Sequence, residues 1–251
     1  MQVLIEKAGV GQARDMTSND RLARLAGLLY LILLPTTGPA YYSGQLAVAG
    51  DAATTLANVQ AGQTVFELLI VVGAVGFIDW LVLGLVFHRL FSPVSKAASS
   101  LMLAFATAGV MLALAAMARR MDVLSLLDSS PGLGADQLQT EVQLALHSSN
   151  NLMLVSVIFW GLWLFPLGWL VLRSGFVPRV LGVALMLGGF WYVFTFVGTV
   201  FNPDYQNTLF ARVFGIISGI PSVIGELGTA LWLLIMATRR RGSPIGIAIR
   251  S

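Results

Sequence analysis

A chain of 251 residues that is 57% hydrophobic and 11% charged has too little polar side-chain area to coat a water-soluble surface; soluble domains carry about 25% charged residues. The absence of cysteine excludes disulfides, thiolate metal sites and cysteine nucleophiles. The net charge of +3 and the pI near 9.6 suit basic helix ends facing anionic lipid, so the bilayer, and not nucleic acid, is the expected partner.

The first twenty residues, MQVLIEKAGVGQARDMTSND, are mixed and polar and read as a weakly structured segment, 1–20. The apolar run behind them ends near Ala47–Ala49 in a small-residue pattern like that of a cleaved leader, but it exceeds the usual leader core and reads as a retained first span. A spanning helix needs about 20 mostly apolar residues. Six segments within a transmembrane domain of 21–241 meet that need, at about 22–45, 64–90, 97–118, 149–172, 180–201 and 214–238. Between the first two, Asp51 is placed to cap a short interfacial helix. Residues 119–148 form the longest loop, whose SSPGLGADQ is a turn cluster. From Asp136 onward, Leu138, Val142 and Leu146 recur at helical spacing, which predicts a helix lying on the membrane or running into the fourth span. The tail, 242–251, reads as flexible.

Orientation follows from Lys and Arg. With the N-terminus inside, Lys7, Arg14, Arg21, Arg24, Arg89, Lys96, Arg173, Arg179, Arg239, Arg240, Arg241 and Arg250 are all internal, leaving Arg119, Arg120 and Arg212 outside. The fold expected is therefore all-α, an integral membrane bundle of six transmembrane helices with both termini cytoplasmic.

Two carboxyls interrupt this apolar pattern. Asp79 stands in FIDWLVLGLVF of the second span and Glu226 in SVIGELGTALWLL of the sixth. An acid at mid-bilayer costs about 2.5–3.5 kcal/mol on insertion scales. Counted along their helices at about 1.5 Å per residue, the two lie within roughly 5 Å of one depth, so they could meet and share a proton. Ser218, Ser222, Glu226 and Thr229 recur at spacings that place them on one face, with Gly215 and Gly219 as a GxxxG beside them and Pro221 loosening the backbone. That stripe suits a proton or cation site, or an anchor for a cationic or hydroxylated ligand. It equally suits helix packing, with each acid hydrogen-bonded across the bundle.

A second polar group, Glu67, Arg119, Arg120, His147, Asn150 and Asn151, gathers at the outer boundary. It could form a shallow site, or simply meet water and headgroups. His88 and His147 lie at opposite ends of their spans, about 30 Å of hydrocarbon apart, so they share no haem iron and no three-histidine zinc site; a mixed site of His147 with Glu67 is the metal alternative, and neither metal nor cofactor is expected. There is no GxSxG for serine chemistry. Phe190, Trp191 and Tyr192, with Trp160, Trp163 and Trp169, could stack on an apolar or quinone-like ligand or serve as core packing.

The blocks RLARLAGLLYLI, SGFVPRVLGVALMLGG and IGELGTALWLLI resemble a family of bacterial membrane proteins, domain of unknown function 4386, over roughly residues 20–238. The Ser-Gly-Phe-x-Pro-Arg-x-Leu-Gly junction is its most specific piece. The resemblance implies a compact multi-helix inner-membrane protein and assigns no activity. The functional reading is a binding or structural membrane protein with a buried acidic face, its ligand an apolar or cationic small molecule. A small proton- or cation-coupled transporter using Asp79 and Glu226 ranks second. A membrane-embedded enzyme near His147 and Glu67 ranks third.

Overall fold

The computed structural model describes the backbone of residues 2–42, 46–128 and 132–239, and the side chains of 19–39, 46–128 and 132–235. The tail at 242–251 lies outside the described residues. The protein is all-α: α1 (Gln2–Tyr42), α2 (Ala52–Ala61), α3 (Gln63–Phe91), α4 (Lys96–Asp128), α5 (Ala135–Leu162), α6 (Leu164–Ser174), α7 (Arg179–Phe201), α8 (Leu209–Phe214) and α9 (Ile220–Arg239). Six stretches are long and apolar enough to cross a bilayer: Asn19–Pro39, Gln63–Phe91, Lys96–Asp128, Ala135–Ser174, Arg179–Phe201 and Leu209–Ile235. The protein is thus a multi-pass membrane protein.

Its outer surface explains why hydrocarbon is required. On α3, Leu68, Val71, Val75, Ile78, Val82 and Leu85 recur at three- and four-residue steps and all are exposed. Such a stripe would drive aggregation in water. In a bilayer it is the lipid-facing side, while Phe77, Trp80, Leu83 and Phe87 on the opposite side fill the core.

Several elements differ from the sequence reading. α1 is helical from Gln2, so the segment expected to be weakly structured continues the first span as helix; no proline precedes Pro35 to stop it. The expected long loop at 119–148 is mostly helix as well. α4 continues to Asp128 and α5 begins at Ala135, running into the fourth span with Leu138, Val142 and Leu146 buried. α4, at 33 residues, is about 50 Å long against a hydrocarbon core of about 30 Å, so its end projects beyond the lipid. Asp51 caps α2, accepting from Thr54 N–H at 2.8 Å.

Close approach of helices is written in small residues. Gly161 and Gly168 on α5 and α6 sit seven residues apart and meet Gly189 and Gly182 of α7, also seven apart. A Cβ on Gly161 would lie 2.6 Å from the Gly189 carbonyl oxygen, and one on Gly168 2.6 Å from that of Gly182. Gly175 ends α6 at φ 70°, the left-handed conformation glycine adopts without strain, and lets the chain reverse into α7. α9 then packs on both α7 and α1, closing the last span against the first.

Candidate functional site

The last span buries Ser218 in the turn before α9 and Ser222, Glu226 and Thr229 on α9 itself. Ahead of Glu226 the helix is irregular: Gly215–Gly219 winds as a π-helical turn, followed at once by Pro221, which has no N–H to donate to the preceding turn. Two contacts then bring α7 close. A Cβ on Gly225 would lie 2.7 Å from the Leu185 backbone nitrogen, and Ser222 packs directly on Gly188. On the other flank, a Cβ on Gly27 of α1 would lie 2.6 Å from the Ala230 carbonyl oxygen. Backbones this near place side chains of α1 and α7 beside Glu226.

Glu226 is 7% exposed and surrounded by hydroxyls. Ser222 Oγ donates to Oε1 at 2.9 Å, Tyr30 Oη donates to Oε2 at 3.3 Å, and the Tyr192 hydroxyl also hydrogen-bonds the carboxyl. Among the described residues no basic side chain pairs with it. Hydrogen bonds to a charged acceptor contribute about 1.5–3 kcal/mol each, so two or three outweigh the roughly 2.5–3.5 kcal/mol of placing a carboxyl in a bilayer. The lone acid is therefore tenable because three helices aim donors at it.

Beside the carboxyl lies a cleft of about 50 Å³, walled by Trp80, Trp160, Trp163 and Tyr192 and bounded by α1 at Leu34. The rings stand steeply to one another: Trp80 and Trp160 at 88° with centroids 6.1 Å apart, Trp80 and Trp163 at 73° and 5.5 Å, Trp160 and Tyr192 at 76° and 5.9 Å. Trp160 is fixed by its indole N–H donating to Ser156 Oγ at 2.9 Å, and Ser156 donates onward to the Gly109 carbonyl. By contrast the Trp80 indole nitrogen is buried with no hydrogen-bond partner among the described residues, as is the Thr229 hydroxyl.

Asp79 does not join this arrangement. Its neighbour Trp80 faces the cleft, while Asp79, 9% exposed, keeps one carboxyl oxygen buried without a partner among the described residues. No hydrogen bond links it to Glu226. Instead α1 packs against both α3 and α9, with Tyr30 holding Glu226 while its ring meets Phe87 of α3 at 5.7 Å. Equal depth along two helices does not make their residues neighbours when a third helix engages both.

The outer polar group separates into parts. Glu67 is exposed and accepts from Gln63 of its own helix at 2.9 Å. Arg119 pairs with Asp122 at 2.7 Å and donates to Ser148 at 3.2 Å. Arg120 is fully buried, its Nε donating to Ser149 Oγ at 3.0 Å. His147, Asn150 and Asn151 border a hollow of about 820 Å³ together with Thr199 and Asn207. No hydrogen bond joins Glu67 to His147, and no three metal-ligating side chains cluster among the described residues.

Tyr30 and Trp80 carry site roles that the sequence reading missed. Trp160, Trp163 and Tyr192 were visible as candidates for stacking, but their shared cleft was not. One signal was available: tyrosine is enriched at membrane interfaces, and Tyr30 sits deep within the Asn19–Pro39 span, where its hydroxyl needs a buried partner.

No curated protein and no solved structure matches the chain. The family model described as "Domain of unknown function (DUF4386)" matches residues 25–237, most of the chain, and the protein belongs to that family.

Proposed function

We propose that the protein is a multi-pass binding protein of the bacterial inner membrane whose ligand site is the cleft at Glu226, with both termini cytoplasmic. The observation that carries the site is a buried carboxyl with hydroxyl donors from α1, α7 and α9 but no basic partner, placed at the edge of an aromatic cleft. Packing alone would be served by an apolar residue at position 226. The test is native mass spectrometry of protein released gently from the membrane. Wild type is expected to carry a small molecule that Glu226→Gln and the cleft-filling Leu34→Trp lose and Asp79→Asn keeps. Retention by both cleft variants, or a wild type that carries nothing, would overturn the assignment.

The orientation rests on the placing of twelve of the 15 basic residues. The chain has no cysteine, so Lys96→Cys and Ala135→Cys each give a unique label. An impermeant thiol reagent added to intact cells is expected to reach the second and not the first; the reverse pattern refutes the orientation.

One observation favours a proton- or cation-coupled carrier as the second reading. The Leu209–Ile235 span is interrupted by the π-helical turn and Pro221 ahead of the acid, and interrupted helices are where carriers commonly bind substrate. That reading predicts pH-dependent flux in liposomes that is lost in Asp79→Asn. The enzyme reading ranks last, because no hydrogen bond joins Glu67 to His147.

A further inference from the structure

The chemistry of the Glu226 cleft narrows the class of its ligand. Any ligand there meets three indoles, the Tyr192 phenol and the Glu226 carboxyl, with Leu33, Leu34 and Thr37 of α1 completing the lining. Aromatic faces are electron-rich and attract cations, and surrounding a quaternary ammonium with several rings is the established use of such attraction. An anion would face both the ring faces and the carboxyl. A neutral apolar guest would leave the carboxyl's remaining acceptor sites unused in a region where an unsatisfied polar group is costly. The hydroxyls of Tyr30 and Ser222 already donate to Glu226, so the carboxyl presents acceptor capacity and no proton donor of its own is needed to hold them.

Size points the same way. The 50 Å³ cleft exceeds by several-fold the roughly 10–15 Å³ that admits one water. That is room for an ammonium group bearing methyls, and too little for a quinone or haem.

Resting on the assignment of the cleft as a ligand site, we propose that the protein binds a methylated ammonium group, seated among Trp80, Trp160, Trp163 and Tyr192 with its charge against Glu226. The group could be a free solute or the headgroup of a lipid.

Isothermal titration of the detergent-solubilised full chain tests this with matched probes. Tetramethylammonium and choline are expected to bind, and 3,3-dimethylbutan-1-ol, the neutral carbon isostere of choline, to bind at least about ten-fold more weakly. Trp160→Phe, which keeps a ring in place, is expected to weaken choline several-fold and the isostere by a smaller factor. Competition by a short-chain phosphatidylcholine assigns the source to lipid, and failure to compete assigns it to a free solute; the proposal stands in both cases. Equal binding of choline and the isostere overturns the cation assignment while leaving the cleft a ligand site. Binding of neither probe also overturns it, and the mass measurement on wild type then decides the site by itself. Because the comparison of probes is made on wild type, it does not depend on any variant folding.

Discussion

Two acids of similar sequence context have opposite structural standing. Glu226 is held by Ser222, Tyr30 and Tyr192, whereas Asp79 has a buried oxygen with no partner among the described residues. Replacing Glu226 by leucine orphans its donors and is expected to cost about 1–3 kcal/mol. Asp79→Leu removes an unsatisfied buried group and is expected to raise stability by a comparable amount. Unfolding of both variants in the same detergent or bilayer checks this; a loss of stability in Asp79→Leu would mean that Asp79 has a stabilising role. Outside the spans, the Thr54 hydroxyl and then the Thr54 N–H hold the Asp51 carboxyl below its usual range. A depressed carboxyl stabilises α2 above its unfolded value, near 3.9, and loses that contribution as pH falls through the folded value. Amide exchange at Thr54 and Thr55 is therefore expected to accelerate, relative to the rest of α2, as pH is lowered through that range, and Asp51→Ala to abolish this dependence. At this scale the sequence revealed which groups were out of place in hydrocarbon. It could not show which side chains met them, because Tyr30 and Glu226 are 196 residues apart and their pairing is set by helix packing.

At the scale of the element, helix identity was readable and helix length was not. Hydropathy marks where a chain lies in lipid; it has no term for where the backbone stops being helical. α4 and α5 therefore run past their apolar stretches to Asp128 and back to Ala135, and α1 reaches to Gln2. Turn chemistry was more informative. The Ser-Gly-Phe-Val-Pro stretch ends α6 at Gly175 and starts α7 after Pro178, as those residue types require. The glycine steps of seven on either side of this turn zip α7 against α5 and α6. Gly168→Val would drive side-chain carbon into the Gly182 carbonyl, a contact of backbone on backbone that cannot relax cheaply. We expect it to cost about 1–3 kcal/mol or more, as overpacking does, measured as a lowered unfolding midpoint; an exposed-face control, Val183→Ala, should change little.

Across the whole molecule, the bundle closes by bringing the last span onto the first. That closure builds the site, since α1 supplies Tyr30 and Leu34, α9 supplies Glu226 and Ser222, and α3, α5 and α7 contribute the aromatic walls. The six spans could be counted from composition and run length. The order in which they pack could not, because lipid-facing and core-facing apolar residues are the same residue types and only small residues mark the contacts. The account stands or falls on the meeting of Tyr30 and Glu226. A double-mutant cycle of Tyr30→Phe and Glu226→Gln, read by unfolding in bilayers, measures it directly. A coupling of about 0.5–1.5 kcal/mol is the expected result. Effects that add to within about 0.3 kcal/mol would contradict both the closure and the site built on it.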